Sequence, residues 1–449
     1  MQKKSIISYS HELIPIAPLV IFRIVFGALM CFSTIRFAYN GWITSSYITP
    51  SFFFPFFDWQ WIQPLPNNGM YVVFFLIGLA AFFICIGFLF RISSILFFLL
   101  FTYTELIDKT FYLNHYYLVC LLSFLLTLTL ANRTFSIDTL LFPHIKRSVC
   151  PRWQVGIFKV QLSIVYFFAG LGKVNPDWLF HAEPMATWLP SKYQIPLLGK
   201  IVGYKITAYL FSWMGCLYDL TIWIFLLWKP TRKLAYVGVI VFHILTSILF
   251  PQIGIFPYIM IVCTVIFFST QWHQNVLSKI QTSNLKPQTP NSKPLNLKSQ
   301  IMTFSLGVYI LIQLYLPLRH LQYPGHLFWH EQGFRFSWRV MLIEKAGMTA
   351  IILKDPKTGL QQEIDQCDYL TKFQQKQMAT QPDMILQFAH FIGDQFKEEN
   401  GYPPQLFVKS RLSLNGNRSK EFTNDTVDLY PLTNSYKKRN WVLPFKDAK

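Results

Sequence analysis

The chain has 449 residues, of which 52% are hydrophobic and only 14% charged, and its formal net charge is +18 at pH 7. With its apolar residues gathered into long runs, that balance excludes a disordered chain and an ordinary soluble one, and points to a protein built into a bilayer. The positive charge is spread over short loops with no compact basic motif, so it is assigned to anionic lipid headgroups and no nucleic-acid partner is expected.

Lys3 and Lys4 precede a first apolar run at 17–38, which lacks a small-residue cleavage site and is expected to stay as an anchor. Further runs follow at 70–90, 92–106, 113–131, 155–172, 208–228, 234–250 and 254–271. A hydrocarbon core of about 30 Å needs about 20 helical residues, because every backbone polar group must be bonded within its own segment. Residues 1–271 are therefore expected to form a multi-helix transmembrane domain. Residues 272–300 are polar and broken by Pro287, Pro290 and Pro294, the texture of a cytoplasmic linker. A last span at 301–319 brings the total to about nine.

From 320 to 449 the hydropathy drops, and a soluble α+β or β-rich domain is expected. Phe336, Trp338, Val340 and Leu342 alternate as in a strand, and Thr349–Leu353 is a second candidate before the turn residues Asp355 to Gly359. Residues 368–397 carry apolar stripes at helical spacing, and Leu406–Leu414 is another strand candidate, ending at Asn415-Gly416.

Lys and Arg set the orientation. An N-terminus in the cytoplasm places Arg91, Arg133, Lys146, Arg147, Arg152, Lys229, Arg232 and Lys233 on the cytoplasmic side, while the opposite loops hold few cations. The C-terminal domain is then extracytoplasmic: outside a bacterial plasma membrane, or in the lumen of the endoplasmic reticulum.

Ionisable residues at membrane depth are functional candidates, because burying them is costly. Arg23, Arg36 and Lys159 lie near the ends of their spans, where snorkelling accounts for them. Lys173 ends the fifth span on the side where lysine is disfavoured, and Gly170 and Gly172 beside it let a flat ligand or another helix approach closely. It is either a functional amine or a snorkelling one. His115, after Asn114, is a proton carrier or a hydrogen-bonded interfacial residue. His243, inside an apolar run, needs a partner for either a structural or a functional role. His320 follows the last span, where an interfacial structural role is the simpler reading. No metal-binding spacing and no CxxC pair is present.

These positions fall in stretches that resemble the vitamin K-dependent γ-glutamyl carboxylases and their bacterial, HTTM-domain relatives. They are Phe90-Arg91-Ile92-Ser93, Asp108-Lys109-Thr110 with Asn114-His115-Tyr116, Ala131-Asn132, Ser136-Ile137-Asp138, and Tyr166 to Gly170 through Lys173 to Asp177-Trp178. Phe242-His243, Ile253-Gly254, Leu316-Pro317, His320, Trp329, Phe336-Ser337-Trp338 and Trp441-Val442 continue the ordered set over most of the chain. The resemblance implies an enzyme that converts protein glutamate to γ-carboxyglutamate with CO2, while O2 oxidises vitamin K hydroquinone to its epoxide, with no metal. Carried over residue by residue, it implies Lys173 and His115 as catalytic groups. His243, Asn114 and Gly170 fall at the quinone, and His320, Trp329 and Trp338 at the substrate. The implied partners are membrane lipid, a quinone, and a glutamate-containing protein or peptide. The sequence departs at Gly172, where animal relatives have a second lysine. The alternatives are a quinone epoxidase without carboxylation, a proton- or ion-coupled transporter using Lys173 and His243, and a membrane scaffold.

Overall fold

A computed structural model describes residues 6–196, 198–280, 297–435 and 437–445. Lys3, Lys4 and the linker prolines Pro287, Pro290 and Pro294 lie outside the described residues. Among the described residues, ten longer helices build the membrane block. They are α1 (Ala17–Tyr39), α2 (Gly69–Ile86), α3 (Phe90–Ile107), α4 (Asn114–Thr127), α5 (Arg152–Gly172), α6 (Lys205–Leu227), α7 (Arg232–Leu249), α8 (Phe256–Thr264), α9 (Thr270–Ile280) and α10 (Leu297–Leu318). Among the described residues seven are long and apolar enough to cross a membrane: α1, α2, α3, α5, α6, α7 and α10. The protein is a polytopic α-helical membrane protein.

The other two expected spans take different forms. Helix α4 is apolar but only 14 residues long. The run at 254–271 is not one straight helix: α8, continued to Phe267, meets α9 at a bend of 107°. The break has a local cause. Ser269 Oγ accepts from Trp272 N at 3.2 Å and starts a new helix, whose Gln271, His273, Gln274 and Asn275 are too polar for hydrocarbon. Helix α9 packs instead on α1, burying Leu277.

At the junction of α2 and α3, Gly87 takes a left-handed φ of +68°, and any side chain there would run into Arg23 and Ser136. Arg23 is therefore not a snorkelling residue. It is fully buried and donates to the Phe135 carbonyl. Asp138 starts α3 by accepting from Leu89 N (2.7 Å) and Phe90 N (3.1 Å).

The outer domain is a four-stranded antiparallel sheet in the order β4-β3-β5-β6, in which β3 is Lys345–Lys354, β4 Gln361–Glu363, β5 Gln405–Leu414 and β6 Lys420–Glu421. A shorter pair, β1 (Leu13–Pro15) and β2 (Val149–Pro151), ties α1 to α5. Strands β3 and β5 pair along their whole length, from Lys345 opposite Leu414 to Lys354 opposite Gln405. In β5 the alternate residues Leu406, Val408, Leu412 and Leu414 are buried, as a period of two requires. The stretch 368–397 divides into α11 (Lys372–Met378), opened by a Thr371–Gln374 capping box, and α12 (Pro382–Asn400), whose apolar face lies on the sheet.

The alternation at 336–342 is not a strand. Phe336, Trp338 and Met341 have φ of 61°, 59° and 58°, and the segment is an irregular strap between the helical block and the outer domain. Its alternate side chains face two different surfaces. Phe336 and Trp338 pack on Tyr117 of α4, and Leu342 packs beside Gly172 into the apolar cluster that joins the block to the outer domain.

Polar contacts fix that domain to the block. Gln374 donates to Asp108 Oδ2 and to the Phe52 carbonyl, both at 2.8 Å. Lys109 lies 3.1 Å from Asp383, and Asn415 Nδ2 donates to Asp177 Oδ2 at 2.8 Å.

Candidate active site

Helix α5 delivers Lys173 to the upper end of the block. Gly170 explains how: a Cβ there would lie 2.6 Å from Leu220 N and 3.0 Å from the Asp219 carbonyl carbon, so only glycine lets α5 and α6 close to this distance. The close crossing brings Asp219 of α6 to Lys173. Nζ stands 2.6 Å from Oδ2, and a second donation runs to the Ala169 carbonyl at 3.3 Å. Both side chains are buried.

Beyond Lys173 the chain turns into a short helix at Pro176–Phe180. Asn175 Oδ1 caps it by accepting from Trp178 N at 3.0 Å. Trp178 is thereby turned inward, with Nε1 on the Ser212 carbonyl at 2.6 Å and its ring centroid 5.4 Å from Lys173 Nζ.

Lys173 and Asp219 face a cavity of about 410 Å³, within the range of roughly 300–1,000 Å³ usual for small-molecule sites. Its walls are apolar and aromatic, with Trp178, Tyr218, Phe242 and Phe256 among them. Its few polar groups converge on one side. Tyr166 OH is 3.4 Å from His243 Nε2 and 3.4 Å from Thr264 Oγ1, while His243 Nδ1 is buried without a partner. Leu210, Met214 and Val241 also line the cavity, yet they are exposed on the outer surface of the block. The cavity therefore opens sideways between α6 and α7, toward where lipid would lie.

Of the residues singled out from the sequence, Lys173 and His243 share this cavity. His115 does not line it. Its ring centroid is 5.8 Å from that of Phe256, which is in turn 5.7 Å from that of His243, and its Nε2 is buried and unpartnered. Gly170 faces α6 rather than the cavity, and its role is the close approach of two helices. Asn114 accepts from Tyr112 OH at 3.0 Å and donates to the Arg339 carbonyl at 2.8 Å, which ties the strap to α4. His320 is half-buried against Arg339. Trp338 stacks on Tyr117 at 4.9 Å, 1% exposed. Trp329 is a core residue of the outer domain, donating to the Leu443 carbonyl at 2.8 Å and set edge-on to Phe422, which leaves no face for a substrate. Among the described residues no cluster of three His, Cys, Asp or Glu is placed to hold a metal ion.

Asp219 is the residue that sequence reasoning passed over. Its signal was present: a carboxylate inside the apolar run 208–228 is as costly as a buried lysine and demands a partner.

The fold defines a class, a polytopic helical membrane protein carrying a β-rich domain, and comparison with protein families gives the family. Residues 11–272 match the HTTM domain, more than half of the chain. Residues 298–448 match the lumenal domain of vitamin K-dependent gamma-carboxylase. With both in one chain, the protein belongs to the vitamin K-dependent γ-glutamyl carboxylase family. No solved structure matches it.

Proposed function

We propose that this protein is an integral membrane carboxylase that converts glutamate in a protein or peptide to γ-carboxyglutamate, coupled to O2-dependent epoxidation of vitamin K hydroquinone. Its outer domain then faces away from the cytoplasm. The observation that carries the reading is the Lys173–Asp219 contact of 2.6 Å inside an apolar cavity that opens toward lipid. A lipid-soluble hydroquinone fits such a cavity by polarity, size and route of access. When bound, it supplies, through its reaction with O2, a base stronger than any side chain offers.

The chain's own residues do the rest. Lys173 is useful as a base only when neutral. Asp219 offers a site for the displaced proton along a contact short enough for transfer, and in low dielectric a neutral pair competes with an ion pair. Lys173 therefore holds or releases a proton at Nζ according to what lies in the cavity. Tyr166 and His243 form a second hydrogen-bonding edge of the same cavity, suited to the quinone oxygens. The aromatic walls exclude water, which protects a strong base from being quenched. His115, behind Phe256, supports the wall on which His243 rests.

The test is a detergent-solubilised assay with vitamin K hydroquinone, O2, labelled bicarbonate and a short glutamate peptide, comparing wild type with Lys173→Ala. Fixed label and epoxide, both lost in the variant, are the expected result. Epoxide from wild type without label, across several glutamate peptides, would reduce the reading to an epoxidase. Neither product from folded wild type would overturn it and favour the transporter.

A further inference from the structure

The strap between the block and the outer domain separates two cavities. Val340 and Met341 line the inner one, where Lys173 sits. Gly333 and Phe336 line an outer cleft of about 270 Å³ that is rich in charge. In that cleft Lys109 and Arg335 are taken up by Asp383, Asp58 faces Asn434, and Glu331 holds Lys345 at 2.9 Å. Arg319 and Arg439 are left without an ion pair among the described residues, each with a buried, unpartnered Nε. The cleft thus mixes paired charges with two arginines that make no close ion pair, while Asp58 and Asp383 stand near Arg439.

Arg339 lies on the strap between Phe336, which lines the outer cleft, and Val340, which lines the inner cavity, and is itself on the wall of neither. Its Nη1 lies 3.3 Å from where a Cβ on Gly172 would be, so it covers the residue next to Lys173. Its Nη2 is 3.0 Å from His320 Nε2. His320 Nδ1 lies 2.9 Å from the Pro317 carbonyl and donates to it, which leaves Nε2 free to accept from Arg339. Asn114 holds the Arg339 backbone at 2.8 Å. The arginine is thus positioned from two sides, yet it makes no ion pair among the described residues, and its Nε is buried with no acceptor. Burial pulls the guanidinium down to about 10, so its charge persists at neutral pH. A fixed, half-buried arginine without a carboxylate is a site prepared for one.

We propose that Arg339, oriented by His320 and Asn114 over Gly172, binds the γ-carboxylate of the substrate glutamate beside the residue that precedes Lys173. The inference deepens the carboxylase reading and rests on it for the identity of the carboxylate. The chemistry requires such a group. Taking a proton from carbon beside a carboxylate leaves two negative charges on one small fragment, and a preorganised cation at the carboxylate oxygens offsets the second. Glycine at 172 also acquires a reason. A Cβ there would meet Leu342 Cδ1 at 3.1 Å and Arg339 Nη1 at 3.3 Å, so only glycine leaves the strap this close to α5.

The experiment is direct binding to the full-length protein in detergent, using a fluorescent peptide with one glutamate and its glutamine counterpart. Wild type is expected to prefer the glutamate peptide by roughly 10-fold or more, as a charge-assisted, bidentate contact implies. Arg339→Gln is expected to abolish the preference, and Arg339→Lys, which keeps the charge but not the fork, to restore part of it. An unchanged preference in Arg339→Gln would overturn the proposal, as would the absence of any preference in wild type. If Arg339→Gln does not fold, Arg339→Lys decides: full wild-type preference with the fork removed overturns the proposal, and a reduced one supports it. Failure of the carboxylase reading is seen separately, as the absence of epoxide and fixed label from wild-type protein.

Discussion

At the residue scale, Lys173 and Asp219 form one unit. Each is buried at the crossing of α5 and α6, and each is the other's ionic partner at 2.6 Å. Removing one member leaves an unpaired charge in low dielectric, which costs about 3–5 kcal/mol, whereas replacing both by apolar groups of similar volume is close to neutral. Lys173→Met is therefore expected to lower the melting midpoint in detergent, and Lys173→Met with Asp219→Leu to recover most of it. For turnover, Lys173→Met and Asp219→Asn should each reduce epoxide formation by roughly 10²–10⁴-fold, and the two combined should be little worse than either alone. Additive losses would show that Asp219 does not act through Lys173. Stability and rate thus separate: the apolar double variant regains the fold but not the chemistry.

At the element scale, the site depends on how close two helices come. Gly170 does not line the cavity, yet a Cβ on it would meet the backbone of α6 at 2.6 Å. Gly170→Ala is expected to push α5 from α6, costing about 1–3 kcal/mol as an overpacking change and lengthening the Lys173–Asp219 contact. The measurable outcome is a lower melting midpoint together with reduced epoxidation, although every ionisable group is unchanged. Full activity in that variant would mean that the helices tolerate the separation and that the short contact is not needed. Sequence reasoning located α5, α6 and both glycines, because apolar runs and small residues are local features. Spacing alone left the choice between a ligand and a helix open at Gly170, and the resemblance placed it at the quinone; what faces a helix is decided by a distant segment, here α6 around Leu220. The strand expected at 336–342 failed for a related reason. Alternation reports that two sides are buried, and a strap held between two domains satisfies that as well as a strand does.

At the scale of the whole molecule, the outer domain is held to the block through Asp383, which lies 3.1 Å from Lys109 and 2.6 Å from Arg335. Burial by itself would raise the Asp383 carboxyl, but Arg335 and Lys109 overcome it and hold it well below the usual carboxylate range. A depressed carboxylate contributes stability above its unfolded value of about 3.9 and loses it only as pH falls through the lower folded value. Asp383→Asn is expected to lower the melting midpoint by an amount that stays constant from pH 7 to pH 5 and shrinks only below about pH 4. A difference that vanishes already at pH 5 would show that the cluster does not carry the docking.

Taken alone, the sequence determined the membrane class, most of the spans, the division into a helical block and an outer domain, and Lys173, His115, His243 and His320 as residues of interest. These follow from local physics: hydrocarbon demands long apolar helices, and an ionisable group among them is conspicuous. Only the tertiary structure decided which of them meet. It paired Lys173 with Asp219, opened their cavity between α6 and α7, bent the run at 254–271, buried Trp329, and set Arg339 over Gly172. Those results depend on distances between segments far apart in the chain, and on the need of each buried polar group for a partner that its own neighbourhood does not contain.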